Sequence, residues 1–228
     1  MPSKKTPAPK AGQPSASRKS PAKQPVKPEQ PTTSRLADAA PTKLTGQARV
    51  LSSKTAYKGK IFSVTTDEVE EPGGVRARRD VVRHNGSVVV LAIDSSSNPS
   101  DPDVLLIRQY RHAAGKFLLE LPAGRIEPGE KLIPAAKREL LEETGYRAKR
   151  WSRLVSYYAS PGFLAEAMNI LLAEDLVAGQ ATPEDDERIE LYPTPLSKAV
   201  ELALTDKIHD GKTLIGVLSY SAMRSGSK

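Results

Sequence analysis

Apolar positions along the chain fall into three patterns. Residues 87–93 and 104–110 are runs rich in β-branched side chains, continuously apolar over 88–93 and 104–107, and separated by the polar loop 94–103. Such runs are expected of strands covered on both faces, so they form the central sheet. Over 132–144, Ile133, Ala136 and Leu140 recur at helical spacing, and Gly145 stands where a left-handed stop ends a helix. Pro134 is compatible with that helix because it falls in the first turn. Residues 57–69 mix polar and apolar side chains and read as a strand pair. Pro72, Gly73 and Gly74 then make a turn into a strand over 75–83, giving a small antiparallel sheet. Residues 153–158 and 168–173 read as further strands and 196–205 as a second helix. The predicted fold class is α/β (α+β), a mixed sheet flanked by helices and preceded by the small antiparallel sheet, with no internal repeat.

The first 45 residues follow none of these patterns. They hold nine of the 19 prolines and nine of the 34 basic residues, against only Glu29 and Asp38 among the acidic ones. The rest of the chain is left with 25 charges of each sign, so the pI near 9.5 belongs to this segment alone. A stretch with so few large apolar groups cannot offset its ordering entropy and is expected to be a disordered tail. It reads as a solubilising extension, with contact to nucleic acid through phosphate charge as the sharper alternative. The expected organisation is a tail over 1–45, the small sheet over 46–85 and a catalytic domain over 86–222. Absence of cysteine excludes disulfides, thiolate metal sites and cysteine nucleophiles. No apolar run approaches the roughly 20 residues needed to span a bilayer, and the N-terminus has no apolar signal stretch, so a cytoplasmic protein without membrane contact is expected.

The chemistry concentrates in GRIEPGE at 124–130 and RELLEETGY at 138–146. Glu139 and Glu143 are four apart and Glu142 is three from the first, so all three carboxylates share one helix face. Their repulsion costs a few tenths of a kcal/mol per pair, and a divalent cation reverses its sign. Hard ions such as Mg²⁺ take carboxylate oxygens, keep several waters and share their remaining positions with phosphates. Arg138 can reach Glu142 one turn on, and Gly124 lets the preceding loop bring a backbone carbonyl close. Three glutamates alone would describe an ordinary solvated helix. Gly124, Glu130, Arg138, Glu139, Leu140, Glu142, Glu143 and Gly145 at these fixed spacings describe something more specific.

That combination resembles the box of the Nudix hydrolase family, with Tyr146 where an aliphatic residue is more usual, and the resemblance runs from about residue 48 to 220. It implies an α/β/α sandwich, Glu139 and Glu143 as metal ligands, Glu142 as ligand or base, and metal coordination by the Ala123 carbonyl. The metal implied is Mg²⁺, with Mn²⁺ as a substitute. Outside the box, RQYR at 108–111, LELPAG at 119–124 and Pro161 within SPGF at 160–163, 16 residues after Gly145, look like the ADP-ribose pyrophosphatase branch. Arg108, Arg111, Glu120, Pro161 and Phe163 are therefore the candidate substrate contacts, arginine for the diphosphate and Glu120 for ribose hydroxyls. Either Asp185 or Glu187, with Glu184 behind them, is the candidate base on the acidic loop. Tyr57 and Phe62 resemble the N-terminal extension through which such enzymes dimerise and stack adenine, so a homodimer is expected. The expected reaction is metal-assisted hydrolysis of ADP-ribose to AMP and ribose 5-phosphate. The alternatives are another nucleotide sugar such as GDP-mannose, or a nucleotide-sensing protein of the same fold whose tail contacts nucleic acid.

Overall fold

The computed structural model describes residues 44–182 and 188–226. The expected tail, apart from its last two residues, lies outside the described residues, as do Glu184, Asp185 and Glu187. Three antiparallel strands open the described chain: β1 (Arg49–Lys58), β2 (Ser63–Glu71) and β3 (Val75–Arg83), in that order across the sheet. The first strand thus begins well before the pair expected over 57–69. All ten residues of β1 are exposed, so no apolar alternation announces it. The turn after β2 is as expected, with Gly73 and Gly74 both at positive φ. β3 is stitched to the body of the fold by Val82, whose N–H donates to the Phe163 carbonyl at 2.8 Å and whose carbonyl accepts from Ala165 at 2.9 Å.

The second sheet contains β4 (Ser87–Asp94), β5 (Asp103–Arg111), β6 (Lys116–Glu120), β7 (Ala123–Arg125), β8 (Tyr146–Tyr158), β9 (Ala167–Ala178) and β10 (Ile189–Pro195). Its backbone order is β10-β5-β4-β9-β8. Only the β4–β9 pair is parallel, so the sheet is mixed. β4 and β5 pair only where Ile93 and Asp94 meet Val104 and Asp103. Beyond that point they diverge: β5 takes β6 as its partner and β4 takes β7. The opened wedge holds the segment 116–125, fastened by the Val90 N–H on the Pro122 carbonyl at 2.8 Å. This split places residues 120–125 beside the helix that follows.

Among the described residues three α-helices complete two outer layers: α1 (Leu132–Thr144), α2 (Leu196–Leu204) and α3 (Gly211–Gly226). Alternate residues of β4 serve both layers. Val88, Val90 and Ala92 pack with Ala135, Ala136 and Leu140 of α1, while Val89, Leu91 and Ile93 pack with Leu196 and Ala199 of α2 and Val217 and Tyr220 of α3. A strand covered twice has no polar face, which is why it reads as one apolar run. Emptying the site of fully buried Leu140 by an alanine would cost about 2–5 kcal/mol. The result is an α/β/α sandwich. Among the described residues no helix is long and apolar enough to cross a membrane.

Candidate active site

α1 is the element on which the site is built. It ends at Gly145, whose φ of 75° suits glycine and whose N–H donates to the Leu141 carbonyl at 2.8 Å. The carbonyl of Glu142 is covered by the N–H of Thr182 at 3.0 Å. Glu139, Glu142 and Glu143 occupy the last two turns, where the helix dipole is already negative. Cations are favoured there for two reasons at once.

Within the chain the cation is Arg138. Its Nη1 donates to Glu139 at 2.7 Å and to Glu142 at 3.0 Å. Nε and Nη2 clasp Glu130 at 3.2 and 3.0 Å, and Nη2 also meets the Arg125 carbonyl at 3.1 Å. All five guanidinium donors are thereby engaged. The bonds from Arg138 hold the Glu130 carboxyl below its ordinary value, and Glu130 in turn raises Arg138. Glu143 is buried and accepts from the Ala123 N–H at 3.0 Å, tying α1 to β7. Gly124 closes the arrangement, because a Cβ there would lie 1.9 Å from the Glu139 carboxylate.

This donor set suits a hard divalent cation: carboxylate oxygens on one face, next to a backbone whose missing side chain leaves the approach open. Among the described residues no group of three or more His, Asp or Glu side chains stands gathered as a ready metal cage. Arg138 holds Glu139 and Glu142 by single bonds that an ion can replace. An ion keeping several waters needs few protein oxygens.

A cavity of about 940 Å³ lies over these residues. Gly124, Arg138, Glu139 and Glu142 form one part of its wall, and Arg111, Gln109, Tyr157, Glu166, Asp210 and Lys212 another. Of the candidate substrate contacts only Arg111 lines it. Glu120 is 1% exposed, behind Arg111, and accepts from that guanidinium at 2.9 and 2.8 Å and from Lys212 at 2.5 Å. Burial pushes the Glu120 carboxyl up, but Arg111 and Lys212 together bring it below its ordinary value. Arg108 faces elsewhere, paired with Glu190 at 3.1 Å and lying 4.0 Å over the Phe117 ring. Pro161 and Phe163 are exposed in the turn between β8 and β9, whose backbone holds β3. Tyr57 and Phe62 pack on each other at 5.7 Å, and from the turn between them Lys60 and Ile61 reach the cavity.

The sequence reading did not single out Asp210, Lys212, Tyr157 or Gln109. Lys212 belongs to α3 and Asp210 caps its start, and no apolar periodicity in the sequence predicts that helix. Burial raises the Tyr157 phenol to about 12, helped by Asp210 and Glu166, so it stays protonated through neutral pH. Gln109 is 7% exposed, and among the described residues nothing donates to its Oε1.

A model of the NUDIX domain matches residues 83–213. An ADP-ribose pyrophosphatase of Bacillus subtilis (strain 168) is 31% identical over 173 residues, 75% of this chain and 91% of that protein. A GDP-mannose pyrophosphatase of Shigella flexneri is 33% identical over 188 residues, 74% of this chain and 95% of that protein. A solved structure, described as the crystal structure of an ADP compounds hydrolase, superposes with a TM-score of 0.68 at 23% identity. It covers 82% of this chain and 98% of its own. The chain belongs to the Nudix family and is a pyrophosphohydrolase of that family.

Proposed function

We propose that the protein hydrolyses the pyrophosphate linkage of ADP-ribose, releasing AMP and ribose 5-phosphate, with Mg²⁺ as cofactor and Mn²⁺ able to replace it. The observation that carries this reading is one cavity walled by the α1 carboxylates and by Arg111, whose guanidinium is fixed from behind by the buried Glu120. Negative oxygens in one part of the wall and a rigid cation in another suit a substrate carrying a diphosphate. Glu139, Glu142, Glu143 and the Ala123 carbonyl would hold the metal, which would supply Lewis-acid polarisation and a water of lowered pKa.

The chain's own residues do the rest. Two Arg111 donors are spent on Glu120, which leaves three to meet phosphate oxygens without reorganisation as charge develops. Arg138 keeps Glu139 and Glu142 on the cavity side of α1 until they are needed. The proton of the attacking water goes to a loop carboxylate, Asp185 or Glu187. In support of this, Thr182, which precedes these residues in sequence, donates to the Glu142 carbonyl and Ile189, which follows them, pairs with Gln109, and both Glu142 and Gln109 line the cavity. No covalent intermediate is needed. Glu120 then supports the site from outside the cavity through Arg111, and β1, exposed along its whole length, is the face through which a homodimer forms.

Similarity to ADP-ribose and GDP-mannose pyrophosphatases supports a nucleotide-sugar substrate and leaves the base to be read by experiment. Steady-state kinetics on ADP-ribose and GDP-mannose test the choice. A higher kcat/KM for ADP-ribose is expected, and a preference for GDP-mannose overturns it.

A further inference from the structure

Two cations face the cavity from different elements and share one buried carboxylate behind them. Glu120 receives Arg111 of β5 through two bonds and Lys212 of α3 through a third, while staying out of the cavity wall that both cations line. Lys212 also meets Asp210 at 3.0 Å. An ammonium group has three donors and no acceptor. Two are accounted for by Glu120 and Asp210. The third has no acceptor assigned among the described residues, on a side chain that is 10% exposed and borders the cavity.

The placement of Lys212 is rigid. Asp210 accepts from the Thr213 N–H at 3.0 Å and from its hydroxyl at 2.5 Å, opening α3. The same hydroxyl, fully buried, accepts from the Leu121 N–H at 2.7 Å and so pins the start of α3 to the end of β6. Fixing a free lysine ordinarily costs rotamer freedom, and here folding has already met that cost. Neutralising Glu120 does not require Lys212, since the paired bonds from Arg111 suffice for one carboxylate. Asp210 balances the charge of Lys212, and what remains is its third N–H beside the cavity, which an acceptor arriving from there would satisfy. The diphosphate is the part of a nucleotide sugar that offers acceptors and negative charge without donors.

We propose that Lys212 binds the substrate's diphosphate together with Arg111, its third N–H donating to a phosphate oxygen. This rests on the reading of the substrate as a nucleoside diphosphate sugar. The alternative role, holding Glu120 in place for Arg111, makes a different prediction in a double-mutant cycle.

The test compares wild type, K212M, K212R, E120Q and E120Q/K212M. It reads KM and kcat for ADP-ribose and the affinity for inorganic pyrophosphate by calorimetry at fixed magnesium. Loss of one charge-assisted bond predicts that K212M raises KM about tenfold or more and weakens pyrophosphate by a similar factor. The same rise should recur in the E120Q background, with partial recovery in K212R. A rise confined to the wild-type background would show Lys212 acting only through Glu120 and would overturn the proposal, as would no rise in either. If wild type fails to cleave ADP-ribose yet binds pyrophosphate through Lys212, the substrate reading falls and the cation assignment stands.

Discussion

A Cβ on Gly124 would lie 1.9 Å from the carboxylate of Glu139, so glycine is the residue that allows β7 and α1 to share the site. Gly124→Ala must push the carboxylate aside or lift the loop. Misplacement of about 1 Å in a catalytic geometry commonly costs about a hundredfold, and that loss in kcat is expected here. Circular dichroism should show an unchanged fold. Wild-type turnover would mean that Glu139 does not act from this position.

Glu143 is buried and receives the Ala123 N–H at 3.0 Å. Glu143→Gln preserves the shape and one acceptor oxygen but removes a charge. Turnover should fall by orders of magnitude with only a modest change in thermal midpoint. Near-wild-type activity would remove Glu143 from the metal-binding set.

Two arginines three residues apart on β5 fall on opposite faces of the strand. Arg111 lines the cavity, whereas Arg108 is paired with Glu190 outside it. Arg111→Ala is therefore expected to raise KM for ADP-ribose about tenfold or more, from the loss of charged hydrogen bonds. Arg108→Ala should leave KM within about twofold, because an exposed pair of this kind contributes little. The reverse order in steady-state kinetics would contradict the placement.

Acid stability offers a separate readout. Bonds from Arg138 depress the native pKa of Glu130 below its ordinary 4.5. A depressed carboxylate contributes stability that is complete above its unfolded value and vanishes as pH falls through the native one. Glu130→Gln should lower the thermal midpoint near neutrality and flatten its decline below about pH 4.5 relative to wild type. Parallel curves for the two proteins would show that the pair contributes nothing.

The parts legible in the sequence were those with redundant signals. α1 has apolar periodicity, a glycine stop and fixed carboxylate spacing, and it forms over Leu132–Thr144 as the pattern predicts. β4 over Val88–Ile93 and β5 over Val104–Ile107 are continuously apolar because both faces are covered there. β1 escaped because none of its ten residues is buried, and β8 extends back to Tyr146 through Arg147, Lys149 and Arg150, which hide a strand under surface charge. α3 escaped because its buried positions, Thr213, Gly216, Val217 and Tyr220, are mostly small or polar. With α3 went Asp210 and Lys212. Glu120 was noticed, but its burial behind Arg111 depends on the wedge between β4 and β5, which no local pattern encodes.

Anion-exchange analysis of the products tests the central claim most directly. Purified protein is incubated with ADP-ribose, GDP-mannose and dGTP, each with and without Mg²⁺. AMP and ribose 5-phosphate as the dominant products, formed only with the metal, are predicted. Preferred cleavage of GDP-mannose or dGTP would contradict the substrate, and absence of any cleavage would contradict hydrolysis itself.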